Sequence, residues 1–147
     1  ALSKYTLNSD DIIVLLQPTS PLRYKSTLNR CIQSIKNKGF DSSLTVKKIH
    51  LFRWKKVQNS FVPLYTDRPR RQDMEDEFCE TGSIYVTTYD QYKSTGLRLS
   101  GKTEGVVTED EESIDVDTSI DLDIVRLLSH TFIEEWRSEI RDLGIQI

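Results

Sequence analysis

The stretch that most constrains this chain is Asp11-Ile12-Ile13-Val14-Leu15-Leu16-Gln17-Pro18-Thr19-Ser20-Pro21-Leu22-Arg23, an aliphatic run that ends abruptly in a polar loop between two prolines. The run is too short for an ordinary helix and is closed by Pro18, so it predicts a strand buried on both faces of a parallel sheet. In open α/β sheets, ligands bind just beyond the carboxyl ends of such strands. Pro18 and Pro21 fix their own φ angles and bias Gln17 and Ser20 toward extended geometry. Gln17, Thr19, Ser20 and Arg23 would therefore be presented with little conformational entropy left to lose. The plain alternative is that Pro-Thr-Ser-Pro serves only as a sharp strand exit.

After the loop, Leu28, Cys31, Ile32 and Ile35 recur at helical spacing, and Gly39 stands where a helix C-terminal glycine is expected. Phe40 to Val46 leads into a second strand and completes a β-α-β unit with a right-handed crossover. Residues 47–66 read as an antiparallel hairpin turning at Gln58-Asn59-Ser60, with Phe52, Trp54 and Phe61 on it. A two-stranded ribbon cannot bury those aromatics alone, so the hairpin either lies over its own core or meets a second copy. Arg68, Arg70 and Arg71 with Gln72 precede a run of carboxylates, a pattern that fits a self-neutralising loop or an anion site. Gly82-Ser83-Ile84-Tyr85-Val86 predicts another strand, with Gly82 allowing a bend or close approach by a ligand. A short strand at Leu97-Arg98-Leu99 and another at Val106-Val107 are weaker expectations.

Along Ser113-Ile114-Asp115-Val116-Asp117-Thr118, alternation places Asp115 and Asp117 on one face and Ile114 and Val116 on the other. Adjacent carboxylates repel unless a cation lies between them, and Mg²⁺ carrying phosphates is a natural partner. Such Asp-rich ends are also ordinary helix caps. Thr118 or Ser119 is the expected cap of a final helix bearing Ile120, Ile124, Leu127 and Leu128, followed by an amphipathic segment with Phe132, Ile133, Trp136 and Ile140.

At 147 residues with 37% hydrophobic content, the expectation is one domain over residues 1–147. A formal charge of −3 argues against a general nucleic-acid or membrane binder. No apolar stretch approaches the ~20 residues of a membrane span, and the N-terminus has no signal-peptide pattern. A soluble cytoplasmic protein is the expectation. Cys31 and Cys79 form neither a metal motif nor a disulfide framework, and His50 and His130 have no partners at ligand spacing, which leaves both outside catalysis.

Three separated pieces resemble the acylneuraminate cytidylyltransferase family, which includes the CMP-sialic acid and CMP-Kdo synthetases. They are Asp11 to Arg23, then Arg70-Arg71-Gln72 leading to Gly82-Ser83-Ile84-Tyr85, then Ser113 to Thr118 followed by Asp121. The resemblance runs from about Asp11 to about Leu128. It implies a nucleotide-diphospho-sugar transferase-like, three-layer α/β sandwich with a mainly parallel central sheet, truncated at the N-terminus, plus the antiparallel hairpin. It implies transfer of CMP from CTP to an acidic sugar such as sialic acid, with release of pyrophosphate. By the same resemblance Asp115 and Asp117 match a Mg²⁺-binding pair, Arg71 an arginine near sugar and phosphates, Gln17 a sugar-contacting glutamine and Tyr85 a pocket aromatic. Thr19, Ser20, Arg23 and Gln72 join them as expected substrate contacts, and the hairpin corresponds to a homodimer contact.

Family members begin with a strand and a Gly-rich basic loop that cradles the CTP phosphates, whereas this sequence starts just before the strand that carries Gln17. Thr81 also stands where the family has Asn. Without the loop's N–H groups CTP binding should be weak, and the chain alone is expected to be inactive. The alternative expectation is a non-catalytic relative, an acidic-sugar binder or dimeric assembly module.

Overall fold

A computed structural model describes residues 6–142. The chain forms two compact units, one from the residues up to Lys47 and from Glu80 onward, the other from Lys48–Cys79. The first unit contains a four-stranded sheet in the order β1-β5-β2-β6. Its strands are β1 (Ile12–Leu16), β2 (Ser42–Ile49), β5 (Glu77–Thr88) and β6 (Thr103–Val107), with helices α1 (Lys25–Lys38), α2 (Tyr89–Thr95) and α3 (Ser119–Asp142).

The sheet is mixed, not mainly parallel. Strand β5 pairs antiparallel with β1, Ile12 facing Thr88 and Leu16 facing Ile84. The bonds of Ile84 to Thr45 and of Thr87 to Asp41 show that β5 also runs antiparallel to β2. Only β2 and β6 form a parallel pair, from Ser42–Thr103 to Val46–Val107. The expected β-α-β unit is therefore split, with β1 and β2 running in the same direction and the later β5 inserted between them. Hydrophobicity cannot reveal this, because an aliphatic run records burial and not the direction of its neighbour.

β1 departs from expectation in a second way. It is an edge strand among the described residues, and Val14, Leu15 and Leu16 are exposed at 37%, 43% and 42%. The aliphatic run does form a strand, but its far half is not buried on both faces.

Helix α1 covers one sheet face. Its Cys31 and Ile35 meet Ile84, Val86 and Val106, with Ile12, Leu28 and Ile32 packed around them. Full burial of side chains like Ile84 and Val86 stabilises by about 1.5–3 kcal/mol each. Burial pushes the Cys31 thiol up to about 11, as its fully buried place on the inward face of α1 requires. Gly39 ends the helix in the left-handed region at φ +69°, and the Phe40 N–H returns to the Ser34 carbonyl at 3.3 Å. On the opposite face, Leu44, Val46 and Tyr85 pack with Leu99 of the loop after α2.

Helix α3 is continuous where two segments were expected. Val125 and Phe132 pack with Leu22, Tyr24, Ile114, Val116 and Leu128, and the Tyr24 and Phe132 rings stack at 4.5 Å. Trp136 and Ile140 lie outside the residues whose side chains are described.

The second unit is the expected hairpin and the loop after it. Strands β3 (Trp54–Val57) and β4 (Ser60–Pro63) pair antiparallel from Trp54–Pro63 to Val57–Ser60, with Gln58 of the two-residue turn at φ +52°. Tyr65 packs edge-on against Phe52 and Trp54, and the Arg68 guanidinium lies 4.6 Å from the Phe52 centroid. Trp54 and Phe61 remain largely exposed. Among the described residues no helix is long and apolar enough to cross a membrane.

Candidate functional site

The loop after β1 is built by its own backbone before any ligand is considered. The Gln17 N–H bonds the Ser83 carbonyl at 3.1 Å, and the Ser20 N–H bonds the Gln17 carbonyl at 3.2 Å. Arg23, expected as a substrate contact, is used here as a brace. Its Nε donates to Ser83 Oγ at 3.0 Å and its Nη2 donates to the Gln17 carbonyl. Burial pulls its guanidinium below the ordinary arginine value.

Gly82 brings β5 up against this loop. It sits at φ +78°, and a Cβ there would stand 3.3 Å from Gln17 Oε1 and 3.9 Å from Ser20 Oγ. The close approach and left-handed backbone together explain a glycine at this point. Thr81, one residue earlier, is buried and donates to Thr45 Oγ1 at 2.7 Å, so its hydroxyl is spent inside the sheet.

The acidic segment closes the site from a third direction. Ile114 and Val116 turn into the apolar cluster beneath Leu22. The Val116 N–H bonds the Thr19 carbonyl at 2.8 Å, and Ser20 Oγ donates to Asp115 Oδ1 at 3.1 Å. Asp115 is half-buried, while Asp117 and the Thr19 side chain are exposed. The expected alternation along 114–117 is thus present. Thr118 caps α3, its Oγ1 accepting the Asp121 N–H at 3.3 Å, and Asp121 Oδ2 accepts the Thr118 N–H at 2.8 Å. The Thr118 hydroxyl, which donates to Asp121 Oδ2 at 2.8 Å, and then the Thr118 N–H hold the Asp121 carboxyl below its usual range.

Tyr85 stands beside this junction, 3% exposed, with its hydroxyl donating to Glu80 Oε2 at 2.8 Å. Burial, then Glu80, push the phenol upward; Asp115 adds to that shift and Arg98 opposes it. Gln17, Ser20, Gly82 and Asp115 are therefore brought together from segments as far as 95 positions apart, the separation of Ser20 and Asp115, with Tyr85 within electrostatic reach of Asp115. Arg71 and Gln72 belong to the second unit, exposed in a short 3-10 turn, Arg71–Asp73.

The sequence reading passed over Glu112. It is 1% exposed, accepts the Tyr24 N–H and the Thr27 hydroxyl at 2.9 Å each, and takes a longer bond from the Glu109 N–H at 3.4 Å. Tyr24, the N-cap of α1, makes no side-chain cap, and the first turn carries no acid. Glu112 supplies the missing anion from 85 residues away. The signal was a helix start without a cap alongside an acidic run without a function.

The fold makes this an α/β protein with a mixed sheet and a polar loop at the carboxyl end of β1. No family model matches the chain. Over 118 residues it is 36% identical to N-acylneuraminate cytidylyltransferases A and B of Danio rerio and to N-acylneuraminate cytidylyltransferase of Oncorhynchus mykiss. Those alignments take in 76% of this chain but only 27%, 28% and 27% of the relatives, so the chain spans about a quarter of their length. Over the matched region the chain belongs to the N-acylneuraminate cytidylyltransferase family.

Proposed function

We propose that this chain supplies the sugar-facing and metal-binding side of a site that transfers CMP from CTP to an acidic sugar. The observation that carries the reading is the junction in which Ser20 bonds Asp115 while Gln17 lies against Gly82. It joins the strand-end loop to the acidic segment in one polar site, and the relatives named for this chemistry align over most of the chain.

Among the described residues no group of three or more His, Cys, Asp or Glu side chains is placed to hold a metal ion. Mg²⁺ that carries substrate phosphates needs only one or two protein carboxylates, so Asp115 and Asp117 fit it. They would hold the ion, which when bound neutralises phosphate charge. Ser20 orients the Asp115 carboxylate, Gln17 offers an amide to sugar hydroxyls, and Tyr85 provides a rigid apolar wall. Arg71 and Gln72 are assigned to the sugar and phosphates on family resemblance. The exposed Trp54 and Phe61 support a homodimer formed through the hairpin.

Calorimetry with Mg²⁺·CTP and with an N-acylneuraminate, together with pyrophosphate release, tests the assignment on the full chain. Binding of at least one ligand is expected, with the Mg²⁺-dependent part lost in Asp117→Ala. Failure of the wild-type chain to bind either ligand, or Mg²⁺-dependent binding that survives Asp117→Ala, overturns it.

A further inference from the structure

Arg98 lies in the loop that follows α2. Its guanidinium carbon is 4.1 Å from the centroid of the Tyr85 ring, the aromatic wall of the site. The side chain is exposed and makes no hydrogen bond or ion pair with any described residue. Contact with a ring face leaves the in-plane N–H donors of a guanidinium free for an oxyanion.

The loop is not a loose surface segment. Gly96 turns the chain out of α2 in the left-handed region at φ +70°. Leu99 packs against Leu44, Val46 and Tyr85. Next, the Ser100 N–H bonds Ser42 Oγ at 3.2 Å, Ser42 Oγ returns a bond to the Ser100 carbonyl at 2.8 Å, and the Lys102 N–H bonds Asp41 Oδ2 at 2.7 Å. The platform is fixed as well, since Tyr85 is buried and its hydroxyl is tied to Glu80. A cation with unused donors is thus held on a rigid ring at the edge of the site, so little entropy remains to be lost when an anion binds.

We propose that Arg98 is a specificity-determining residue that reads the carboxylate of the acidic sugar by a forked hydrogen bond. The inference rests on the sugar-site reading above. A guanidinium matches a planar carboxylate through two parallel N–H bonds. Glu80, bonded to the Tyr85 hydroxyl at 2.8 Å, adds a negative charge beside the ring and favours a singly charged carboxylate over a multiply charged phosphate.

Calorimetry on the full chain with N-acetylneuraminate and with its carboxyl methyl ester tests this. Wild-type protein is expected to prefer the acid by about tenfold to a hundredfold, the range for a hydrogen-bonded charged group. Arg98→Ala should lower the acid to the ester's affinity and leave the ester unchanged, and Arg98→Lys should recover part of the loss. Equal wild-type affinity for acid and ester overturns the proposal while leaving a sugar site in place. So does a preference for the acid that persists in Arg98→Ala. If Arg98→Ala weakens inorganic phosphate and spares the acid, Arg98 belongs to the nucleotide and the proposal fails. Absence of any wild-type sugar binding removes both this inference and the sugar-site reading. The ester comparison uses wild-type protein alone, so it decides even where a variant is unstable.

Discussion

Glu112 offers the sharpest test of how this site is held together. Its buried carboxylate joins the acidic segment to the start of α1, accepting from Tyr24 N and Thr27 Oγ1 at 2.9 Å each. In Glu112→Ala both donors lose their acceptor, at about 1–3 kcal/mol for each buried group left unsatisfied. The start of α1 also loses an anion, worth about 0.3–1 kcal/mol. The expected loss is on the order of 3–5 kcal/mol, a large part of the roughly 5–15 kcal/mol that ordinary domains possess. Glu112→Gln keeps one acceptor oxygen but turns an NH₂ group toward a donor, so a smaller loss of about 1–3 kcal/mol is expected. Urea unfolding followed by circular dichroism measures both, with the midpoint shifting at constant slope. A Glu112→Ala midpoint within about 0.5 kcal/mol of wild type, the scale of an ordinary surface substitution, would refute the clamp.

Two further outcomes follow from the same geometry. Gly82→Ala places a Cβ 3.3 Å from Gln17 Oε1 in a left-handed backbone, with an expected cost of about 1–2 kcal/mol and a weakened sugar affinity; a variant equal to wild type in both unfolding and calorimetry contradicts the close-approach account. Asp121 titrates below its usual range because the Thr118 hydroxyl and the Thr118 and Asp117 N–H groups favour its charged form. Its stabilising contribution is therefore complete above the ordinary Asp value and lost as pH falls through the lowered one. Acid unfolding should be steeper for wild type than for Asp121→Asn, and parallel stability curves below about pH 4 would show that the cap contributes nothing.

Local chemistry was legible wherever a residue's meaning lies in its neighbours along the chain. Five adjacent aliphatics closed by Pro18 do form β1, the period of Leu28, Cys31, Ile32 and Ile35 does form α1, and the turn after Val57 does form a hairpin. Thr118 with Asp121 caps α3 through contacts three positions apart, and Ile114 and Val116 alternate inward as their spacing requires. Gly82 was marked for a bend or the close approach of a ligand, and the structure sets Gln17 and Ser20 of the neighbouring loop against it.

What the tertiary structure decided depends on partners distant in sequence. The direction of β5 between β1 and β2 comes from long-range pairing, and no local pattern encodes it. Arg23 looks like a ligand-binding cation in a polar loop, but two of its donors brace that loop against Ser83 and the Gln17 carbonyl. Glu112 looks like one carboxylate in a solvated run, but burial against the open start of α1 makes it a cap. Arg98 is an ordinary loop residue until the fold sets it on the ring of Tyr85. The sequence by itself determined that β1, α1, the hairpin and the start of α3 form, because those follow from side-chain spacing and local backbone preference, whereas Leu97-Arg98-Leu99, expected as a strand, lies in a loop after the unforeseen α2. Only the tertiary structure decided which charged groups are consumed internally and which stay free for a ligand, because desolvation and hydrogen bonding are set by neighbours that the chain supplies from far away.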